Sequence, residues 1–498
     1  MDISKKNTMT RTFGGDISQD NFSLTSSDGR ILLQDTYLIE KLAHFNRERI
    51  PERVVHAKGW GAHGEFILTH DMSKYTLAKI FTCVGKKTEM LARFSTVAGG
   101  RESSDTARDP RGFALKFYTD DGILDIVGNN TPVFFIRDPI KFPDFIHSQK
   151  KNPVNNLTDY NAQWDFLSLT PESLNQVTIL FSDQGTPYGF RFMDGFGTDT
   201  FTWYNAKGEY FFVKYHFISE QGLKNFTAEE AERVGGENPD FSGKDLFTSI
   251  EKGDFPSWVM KVQIMTPEQA KTYRFDPFDT TKTWYEEDFP LIEVGKFTLN
   301  RNPKNFFNEI EQAAFCPANM VPGIGPSQDK MLQGRMFAYS DTQRHRLGTN
   351  FQRIVVNMPK SPVFNYQVDG HLANNTDNPI NYFPNSMQPV YFNPVSEEPP
   401  QPIIGVIDRH IVEIKDIDFV QPGDRYRAFN DEEKEHLISN ICASLKNAEK
   451  RIQYRQCALF YKADKDYGTR VANCLSLNLA QVARLSKMND AERAYATR

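Results

Sequence analysis

Runs of apolar and aromatic residues recur from about residue 50 to about residue 300, and turn-forming Gly, Asp and Asn residues separate them. Short β-branched and aromatic runs with such boundaries are typical of strands in a large antiparallel sheet or barrel. The segment Asn-Ala-Lys-Gly at 205–208 stands between two aromatic-rich runs and predicts a hairpin loop. The predicted strands are residues 66–69, 91–94, 112–118, 123–127, 133–136, 210–217 and 258–264.

Helical spacing of apolar residues appears elsewhere in the chain. A short pattern at residues 37–45 interrupts an otherwise polar N-terminal segment, and a helical stretch intrudes near residues 171–180. Towards the C-terminus, Asn-Asp-Glu-Glu at 430–433 predicts the start of another helix. Two apolar stripes follow it and are predicted to be core: Leu437, Ile438, Ile441 and Leu445, then Leu479, Val482 and Leu485.

Between residues 301 and 425, Pro, Asn and Gly are frequent and periodic segments are few. So long an irregular segment in a compact protein is expected to be functional or to wrap around another part of the structure. The main exception is a helical pattern from Asp329 to Phe337, which places Arg335 and Tyr339 four residues apart on one helix face.

The composition excludes some classes of protein. With 498 residues, 39% hydrophobic and 24% charged, the chain is an ordinary globular protein large enough for more than one packed unit. A net charge of −6 without a basic domain argues against a nucleic-acid partner. No apolar run suits a bilayer, and neither a signal segment at residues 1–7 nor a Ser-Lys-Leu ending is present, so a cytoplasmic location is expected.

The cysteines and phenylalanines carry weaker information. The five cysteines include no CxxC pair, so neither a zinc site nor a disulfide framework is predicted, and a reducing compartment is favoured. The 40 phenylalanines suit walls around a flat aromatic cofactor, although a Phe-rich core is the simpler alternative.

The segment Arg-Met-Phe-Ala-Tyr-Ser-Asp-Thr-Gln-Arg-His-Arg at 335–346 places one tyrosine among several cations. A guanidinium fixed beside a phenol favours the phenolate, because the opposite charge and its hydrogen bonds stabilise the charged form. A phenolate is a hard anionic ligand for ferric iron. Taken alone, however, the segment is more simply a half-buried helix tyrosine with surface arginines.

Segments far away in the chain change that interpretation. They read Arg-Val-Val-His-Ala-Lys-Gly-Trp-Gly-Ala-His at 53–63, Arg-Phe-Ser at 93–95 and Gly-Asn-Asn-Thr-Pro at 128–132. Together with the tyrosine segment they resemble the monofunctional haem catalases, and the likeness runs without large gaps from about residue 33 to about residue 370. Tyrosine ligation of the haem iron is a known property of that family.

The resemblance implies an α+β fold with a large antiparallel β-barrel, in a small-subunit enzyme that is a homotetramer. It divides the chain into an N-terminal arm (1–48), a barrel with the distal haem pocket (49–300), a wrapping segment with the proximal helix (301–425) and a C-terminal helical domain (426–498). The implied cofactor is haem b, iron protoporphyrin IX. The implied reaction disproportionates hydrogen peroxide to water and dioxygen through an oxoferryl intermediate and protects the cell against peroxide.

Peroxide cleavage requires a proton to move from one peroxide oxygen to the other, and a neutral imidazole suits this task near pH 7. His56 matches the family's catalytic histidine, although a structural histidine is the simpler reading of that residue alone. Asn129 matches the asparagine that orients the peroxide, and Ser95 the serine that fixes the imidazole. The spacing of His56, His63 and His70 matches no metal motif.

On the other face of the haem, the resemblance makes Tyr339 the iron ligand, held as phenolate by Arg335. Arg53, Arg93 and Arg346 match propionate-binding positions, because arginine forks pair well with carboxylates. The remaining matches are Phe142, which would stack on the porphyrin, Phe134, which would line the distal pocket, and the channel residues Val97, Asp109 and Gln149.

One departure from the family concerns NADPH. Many catalases of this size bind it through His, Arg, Lys and His side chains. The aligned positions here are Asn175, Gln184, Ile218 and Glu286. The loss of positive partners for a polyanion predicts little or no NADPH binding.

The alternative function is that of related haem enzymes, which act on fatty-acid hydroperoxides. These enzymes carry a threonine immediately before the distal histidine. Val55 occupies that haem-contacting position here, which favours a true catalase. A non-catalytic binding barrel would not require His56, Asn129 and Tyr339 together.

Overall fold

The computed structural model describes residues 8–373, 377–403 and 405–498. It divides into two compact units, Met1–Glu52 and Arg53–Arg498. Residues 1–7, for which the sequence predicts no signal function, lie outside the described residues.

The first unit contains one helix, α1 (Thr36–Phe45), which confirms the short helix predicted there. Asp35 begins the helix, since its carboxylate accepts a hydrogen bond from Leu38 N at 3.0 Å. Not one of residues 8–52 is buried, and Phe13 and Leu33 are 95% and 87% exposed. The unit therefore leaves large apolar side chains uncovered by its own residues.

The second unit is built on one antiparallel sheet. Its strands are β1 (Gly59–Leu68), β2 (Lys87–Ser95), β3 (Gly112–Thr119), β4 (Gly122–Asn129), β5 (Gly195–Phe196), β6 (Phe201–Tyr204), β7 (Tyr210–Ser219), β8 (Ser257–Met265), β9 (Ile292–Arg301) and β10 (Ile324–Pro326). The pairing order is β7-β5-β4-β3-β2-β1-β9-β8, and β8 pairs again with β7, so the sheet closes. The predicted α+β fold with a large antiparallel barrel is confirmed.

The predicted strands agree with observed strands with one exception. Residues 133–136 are irregular, and Phe134 N donates to Thr280 O at 2.8 Å rather than to a neighbouring strand. The prediction was wrong because a short apolar run does not distinguish a strand from a buried loop. The predicted hairpin loop at 205–208 is confirmed, since Gly208 N donates to Asn205 O at 3.0 Å between β6 and β7.

The barrel interior is rich in aromatic rings. This agrees with a phenylalanine-rich core, the simpler alternative to phenylalanine walls around a cofactor. Phe113 is fully buried and stacks on Phe217 with ring centroids 5.5 Å apart, while Trp258 stacks on Phe297 at 5.1 Å. Such pairs add stability beyond the area that they bury. The packed interior therefore holds β1 to β4 in a fixed register.

That register sets one row of residues side by side at the end of the barrel. Gly59 pairs with Ser95 across β1 and β2, Ser95 with Gly112 across β2 and β3, and Gly112 with Asn129 across β3 and β4. Residues far apart in the chain become neighbours through strand pairing alone.

Helices lie outside the barrel and after it. The α-helices are α2 (Phe142–Gln149), α3 (Tyr160–Ser168), α4 (Leu174–Phe181), α5 (Ala228–Glu237), α6 (Phe241–Glu251), α7 (Pro267–Thr272), α8 (Lys330–Arg346), α9 (Val420–Ala428), α10 (Asp431–Leu445), α11 (Lys450–Ala463), α12 (Lys465–Cys474), α13 (Leu479–Leu485) and α14 (Asp490–Ala496). Helix α4 confirms the helical stretch predicted near 171–180. Short 3-10 segments also occur, and residues Phe307–Glu311 form one turn of π-helix.

The C-terminal helices form a second core with α3 and α4. Helix α10 begins at Asn430, whose side chain accepts from Glu433 N at 2.9 Å, and its predicted apolar stripe is buried. In α13, Val482 and Leu485 are buried as predicted, whereas Leu479 is 38% exposed because it is the first residue of the helix. None of the helices in the described ranges combines the length and apolar character that a membrane crossing needs.

The cysteines differ from the prediction. The structure pairs Cys442 of α10 with Cys474 of α12, with Cα atoms 6.5 Å apart, a single pair that the sequence did not predict. The two residues are 32 positions apart, and only the packing of the two helices brings them together. The other cysteines, Cys83, Cys316 and Cys457, are free.

Candidate active site

Two cavities of about 330 Å³ each lie between the end of the barrel and helix α8. Both are lined by Val55, His56, Phe142 and Tyr339, so the two cavities adjoin. The structure thus brings the predicted catalytic and haem-contacting residues to one place: His56, Ser95, Asn129, Arg53, Val55, Arg93, Phe134, Phe142, Arg335, Tyr339 and Arg346 line one cavity or both.

His56 is held from two directions. Its backbone has a φ of 66°, in the left-handed region that non-glycine residues rarely adopt, and its N–H donates to Val97 O at 3.0 Å. Its imidazole Nδ1 lies 2.9 Å from Ser95 Oγ. Such a backbone persists only where surrounding contacts determine it, and it directs the imidazole into both cavities.

Gly112 makes this contact possible, and its role was not predicted from the sequence. A Cβ atom at residue 112 would overlap Ser95 Oγ and would lie only 2.5 Å from His56 Nδ1. Only glycine therefore leaves room for the imidazole and the hydroxyl to meet. Nothing in the local sequence around residue 112 signals this requirement, which arises from the strand register.

The environment of His56 favours the neutral imidazole. Burial lowers the pKa of His56 to about 3, and the positive charges of Arg93 and Arg335 add to that effect. At neutral pH the ring therefore carries one proton and one free nitrogen, which is the form able to accept a proton.

Asn129 stands at the end of β4 and lines the second cavity. Its amide Nδ2 donates to Arg111 O at 3.2 Å, which fixes the plane of the side chain. The amide can offer its remaining polar groups to a small molecule in the cavity.

Helix α8 carries the residues opposite His56. Asp329 caps its start by accepting from Met331 N at 2.9 Å. One turn further, Arg335 Nη2 donates to Tyr339 Oη at 3.0 Å, which confirms that the two residues share a helix face. The same nitrogen donates to Val127 O at 2.6 Å, so the barrel anchors the guanidinium.

Asp199 completes this arrangement and was not identified from the sequence. Its fully buried carboxylate forms an ion pair with Arg335 Nη1. Although burial lowers the pKa of Arg335, the charges of Asp199 and Tyr339 raise it above its usual value. The guanidinium beside Tyr339 is therefore permanently charged. Residues 198–200 read Thr-Asp-Thr, which carries no chemical signal without the fold.

A cluster of arginines lies at the edge of the first cavity. Arg53 and Arg346 both donate to the carbonyl oxygen of Ala313, at 2.9 and 3.1 Å. Glu311 is the acid beside them, with its carboxylate 3.5 Å from Arg53 Nη1 and 3.2 Å from Arg101 Nη2. Most of the contacts of Arg53 and Arg346 are thus to neutral carbonyls.

The arginines of this cluster carry more positive charge than Glu311, the acid beside them, can neutralise. Burial, together with mutual repulsion, lowers the pKa of Arg53 to about 10 and that of Arg346 to about 9. Among the described residues, the buried Arg93 Nε has no hydrogen-bond acceptor, and Arg53 Nη1 has only the Glu311 carboxylate, 3.5 Å away. An anionic group in the cavity would supply acceptors and charge to both.

The walls suit a flat aromatic group with such anionic substituents. Phe134 and Phe142 lie with ring centroids 6.3 Å apart and planes inclined by 23°. Tyr339 lines the same two cavities as His56, and its phenol oxygen is a group that could bind a metal there. The residues present therefore fit a haem, and the arginine cluster would hold its carboxylates.

His63 and His70, whose spacing from His56 matches no metal motif, have other partners. His63 Nε2 lies 2.7 Å from Glu309 and His70 Nδ1 lies 2.9 Å from Thr69 Oγ1, so neither joins His56. Across the ranges that the structure describes, no three His, Cys, Asp or Glu side chains form a metal-binding group. The channel residues Val97, Asp109 and Gln149 do not line the two cavities, and their channel role stays a prediction.

Comparison with known proteins assigns the family. The catalase family model matches residues 10–389, and that of a catalase-related immune-responsive family matches residues 413–475. A catalase from Methanosarcina barkeri is 56% identical over 495 residues, which cover 98% of each chain. A peroxisomal catalase from Toxoplasma gondii is 50% identical over 480 residues, covering 95% of this chain and 96% of that one.

Solved structures agree with the sequence comparison. Catalase A from Saccharomyces cerevisiae superposes with a TM-score of 0.90 at 42% identity and covers 95% of this chain and 99% of its own. A bacterial catalase superposes with a TM-score of 0.88 at 46% identity and covers 94% of this chain and 96% of its own. The chain therefore belongs to the catalase family, whose activity is the decomposition of hydrogen peroxide and whose cofactor is haem.

Proposed function

We propose that this protein disproportionates hydrogen peroxide to water and dioxygen at a haem b bound between His56 and Tyr339. The observation that carries the proposal is that these two side chains line the same two adjoining cavities, and each forms a hydrogen bond with its own partner, Ser95 or Arg335. Bound haem iron would supply the two-electron redox chemistry, and the chain would supply proton movement and orientation.

On the peroxide side, neutral His56 would accept a proton from one peroxide oxygen and deliver it to the other, so that water can leave. Ser95 would keep the imidazole in the plane that this transfer needs. The amide of Asn129 would hydrogen-bond the peroxide and hold it beside the imidazole. These residues would therefore orient the peroxide and provide a neutral base that accepts its proton.

On the opposite side, Tyr339 would bind the iron as phenolate. Arg335 supports this state because its charged guanidinium donates to the phenol oxygen at 3.0 Å, and the ion pair with Asp199 holds that guanidinium in place. Arg53, Arg93 and Arg346 would bind the haem propionates. Val55, Phe134 and Phe142 would contact the porphyrin and restrict the space beside His56.

Oxygen release measured with an oxygen electrode after addition of hydrogen peroxide tests the proposal. Haem-loaded wild-type protein is expected to release oxygen rapidly, and His56→Ala to lose the activity by roughly 100-fold or more. His70→Ala, in which an exposed histidine outside the cavities is removed, is the matched control and is expected to keep it. A haem-replete wild type that releases no oxygen contradicts the proposal and favours the fatty-acid hydroperoxide alternative.

We also propose that NADPH binds weakly or not at all. Asn175 is buried, donates to Thr281 O at 3.3 Å and to Gln421 at 3.2 Å, and accepts from Arg425 Nε at 3.2 Å. These internal contacts occupy a position where the family carries a nucleotide-binding histidine. Titration with NADPH followed by its fluorescence is expected to show no saturation at equimolar nucleotide, and a tight one-to-one complex would overturn this proposal.

A homotetramer is proposed on the family resemblance and on the uncovered apolar side chains of residues 8–52. Phe13 and Phe22, at 95% and 82% exposed, are large surfaces for a chain to leave in water. Light scattering is expected to give about four times the chain mass of 57.1 kDa, and a single-chain mass would contradict it. The cytoplasmic location stays a prediction.

A further inference from the structure

The loop of residues 105–111 (the 105–111 loop) leads into β3. It forms hydrogen bonds with Asn129 and with residues 97 and 98, which lie beside His56. We propose that Arg111 is a positioning residue that sets His56 and Asn129 relative to each other by folding this loop. The inference rests on the proposed function of those two residues. Arg111 itself lines neither cavity, and its neighbour Gly112 does.

The backbone of Arg111 positions Asn129 and Asn130 through hydrogen bonds. Arg111 O accepts Asn129 Nδ2 at 3.2 Å and Asn130 N at 2.9 Å, while Arg111 N donates to Asn130 Oδ1 at 2.7 Å. Three hydrogen bonds therefore join one residue of the loop to the end of β4. A displacement of residue 111 would carry the amide of Asn129 with it.

The same loop also supports His56, indirectly, through the backbone of Val97 and Ala98. The Asp109 carboxylate accepts Val97 N at 2.6 Å and Ala98 N at 2.7 Å, and Val97 O accepts His56 N at 3.0 Å. Asp109 therefore fixes the peptide that supports the left-handed backbone of His56. Because Asp109 and Arg111 are two residues apart, their relative position decides the distance between the imidazole and the amide.

The guanidinium of Arg111 determines that relative position. It is fully buried, and it donates through Nη1 to Asp109 O and through Nη2 to Asp105 O, the latter at 3.0 Å. Asp105 is in turn anchored, since its carboxylate accepts Ser242 N at 3.0 Å and Gly243 N at 2.9 Å at the start of α6. One rigid fork thus ties the two ends of the loop together.

Charge explains why an arginine can lie there. Burial lowers the pKa of Arg111 and raises the pKa values of Asp105 and Asp109, while the opposite charges act against those shifts. The cation and the two carboxylates therefore stabilise one another, although Arg111 makes its hydrogen bonds to carbonyls. A neutral residue at 111 would leave two carbonyls without these donors and would remove the counter-charge that lies beside both acids.

Arg108 is the matched control, because it belongs to the same loop and is also an arginine that donates to carbonyls. Its Nη1 donates to Leu180 O at 3.0 Å and Ser182 O at 2.6 Å, near the end of α4 and away from the cavities. Arg108→Met removes a similar number of contacts without touching the supports of His56 or Asn129.

The experiment compares Arg111→Lys, Arg111→Met and Arg108→Met in the haem-loaded protein. Haem content and the tyrosinate absorption bands report on the Tyr339 side. The rate of cyanide association reports on the His56 side, since HCN must give its proton to the imidazole as cyanide binds. Oxygen release is measured in parallel.

For Arg111→Met, cyanide association and oxygen release are expected to fall about 100-fold at unchanged haem content and unchanged tyrosinate bands, because misplacement by about 1 Å costs that much. Arg111→Lys keeps the charge and reaches fewer carbonyls, so it is expected to fold and to lose roughly 10-fold. Arg108→Met is expected to stay within about 2-fold of wild type in both rates.

Two results would overturn the proposal. One is cyanide association at the wild-type rate in a folded Arg111→Lys or Arg111→Met protein. The other is equal loss in the Arg111 and Arg108 variants, which would make Arg111 a structural residue only. Failure of the wild type to release oxygen is a separate result, because it contradicts the proposed function whatever the variants do.

Discussion

Ser95 Oγ and His56 Nδ1 lie 2.9 Å apart at the end of the barrel, and the two residues belong to segments 39 positions apart in the chain. The contact exists because β2 pairs with β3 in a register that sets Ser95 opposite Gly112, which has no side chain to intervene. The orientation of the imidazole is thus a property of the strand register.

Ser95→Ala should lower the oxygen-release kcat about 5- to 10-fold, because one hydrogen bond worth about 1 kcal/mol no longer orients the imidazole. Haem content should not change. Ser103→Ala, which removes an exposed hydroxyl that contacts Gly100 O, serves as the control. An unchanged kcat in Ser95→Ala would show that the hydroxyl does not orient His56.

Gly112→Ala should be more damaging than the loss of the hydroxyl. The added methyl would lie 2.5 Å from His56 Nδ1, so the imidazole must move or the strands must separate, and we expect at least a roughly 100-fold loss of kcat. Gly236→Ala adds the same methyl in α5, where no atom lies within 4 Å, and should have no effect on kcat. Similar activities for the two variants would contradict the steric argument.

Arg335→Met should destabilise the protein as well as weaken haem binding. It leaves the fully buried Asp199 carboxylate without its ion-pair partner, which costs about 3 to 5 kcal/mol in the free energy of unfolding. Arg233→Met breaks an exposed pair with Glu237 and should cost less than about 1 kcal/mol. Urea denaturation of both variants measures the difference, and equal costs would argue against a buried charge pair.

The depressed pKa of His56 predicts how stability depends on pH. Between its ordinary pKa of 6.5 and the folded value of about 3, the unfolded chain binds a proton at residue 56 and the folded chain does not. The His56 contribution is therefore neutral above pH 6.5 and increasingly unfavourable to folding as the pH falls towards 3. At about pH 5 it amounts to about 2 kcal/mol relative to about pH 8.

His56→Gln should remove that dependence. Its free energy of unfolding should fall by about 2 kcal/mol less than that of wild type between about pH 8 and about pH 5, as measured by urea denaturation at both pH values. His44→Gln replaces a histidine whose side chain is 77% exposed and should leave the wild-type dependence in place. An identical pH dependence in His56→Gln and wild type would show that the imidazole is not held neutral by burial.

Several features could be predicted because their signals are local. The short turn-bounded runs indicated most strands of the barrel, and the four-residue spacing of Arg335 and Tyr339 placed them in contact on one helix face. The strand predicted at 133–136 failed because a buried loop and a buried strand share the same composition. Strand β9, which closes the barrel between β1 and β8, was missed altogether.

By itself, the sequence determined which chemical groups this protein has and, where the periodicity is regular, which local structure carries them. It identified His56, Asn129 and Tyr339 through motifs that resemble a known family. The contributions of Gly112, Asp199 and Arg111 were decided only by the tertiary structure. Strand register and barrel closure bring these residues to the site from distant segments, and neither a steric requirement nor a buried ion pair leaves a pattern in neighbouring residues.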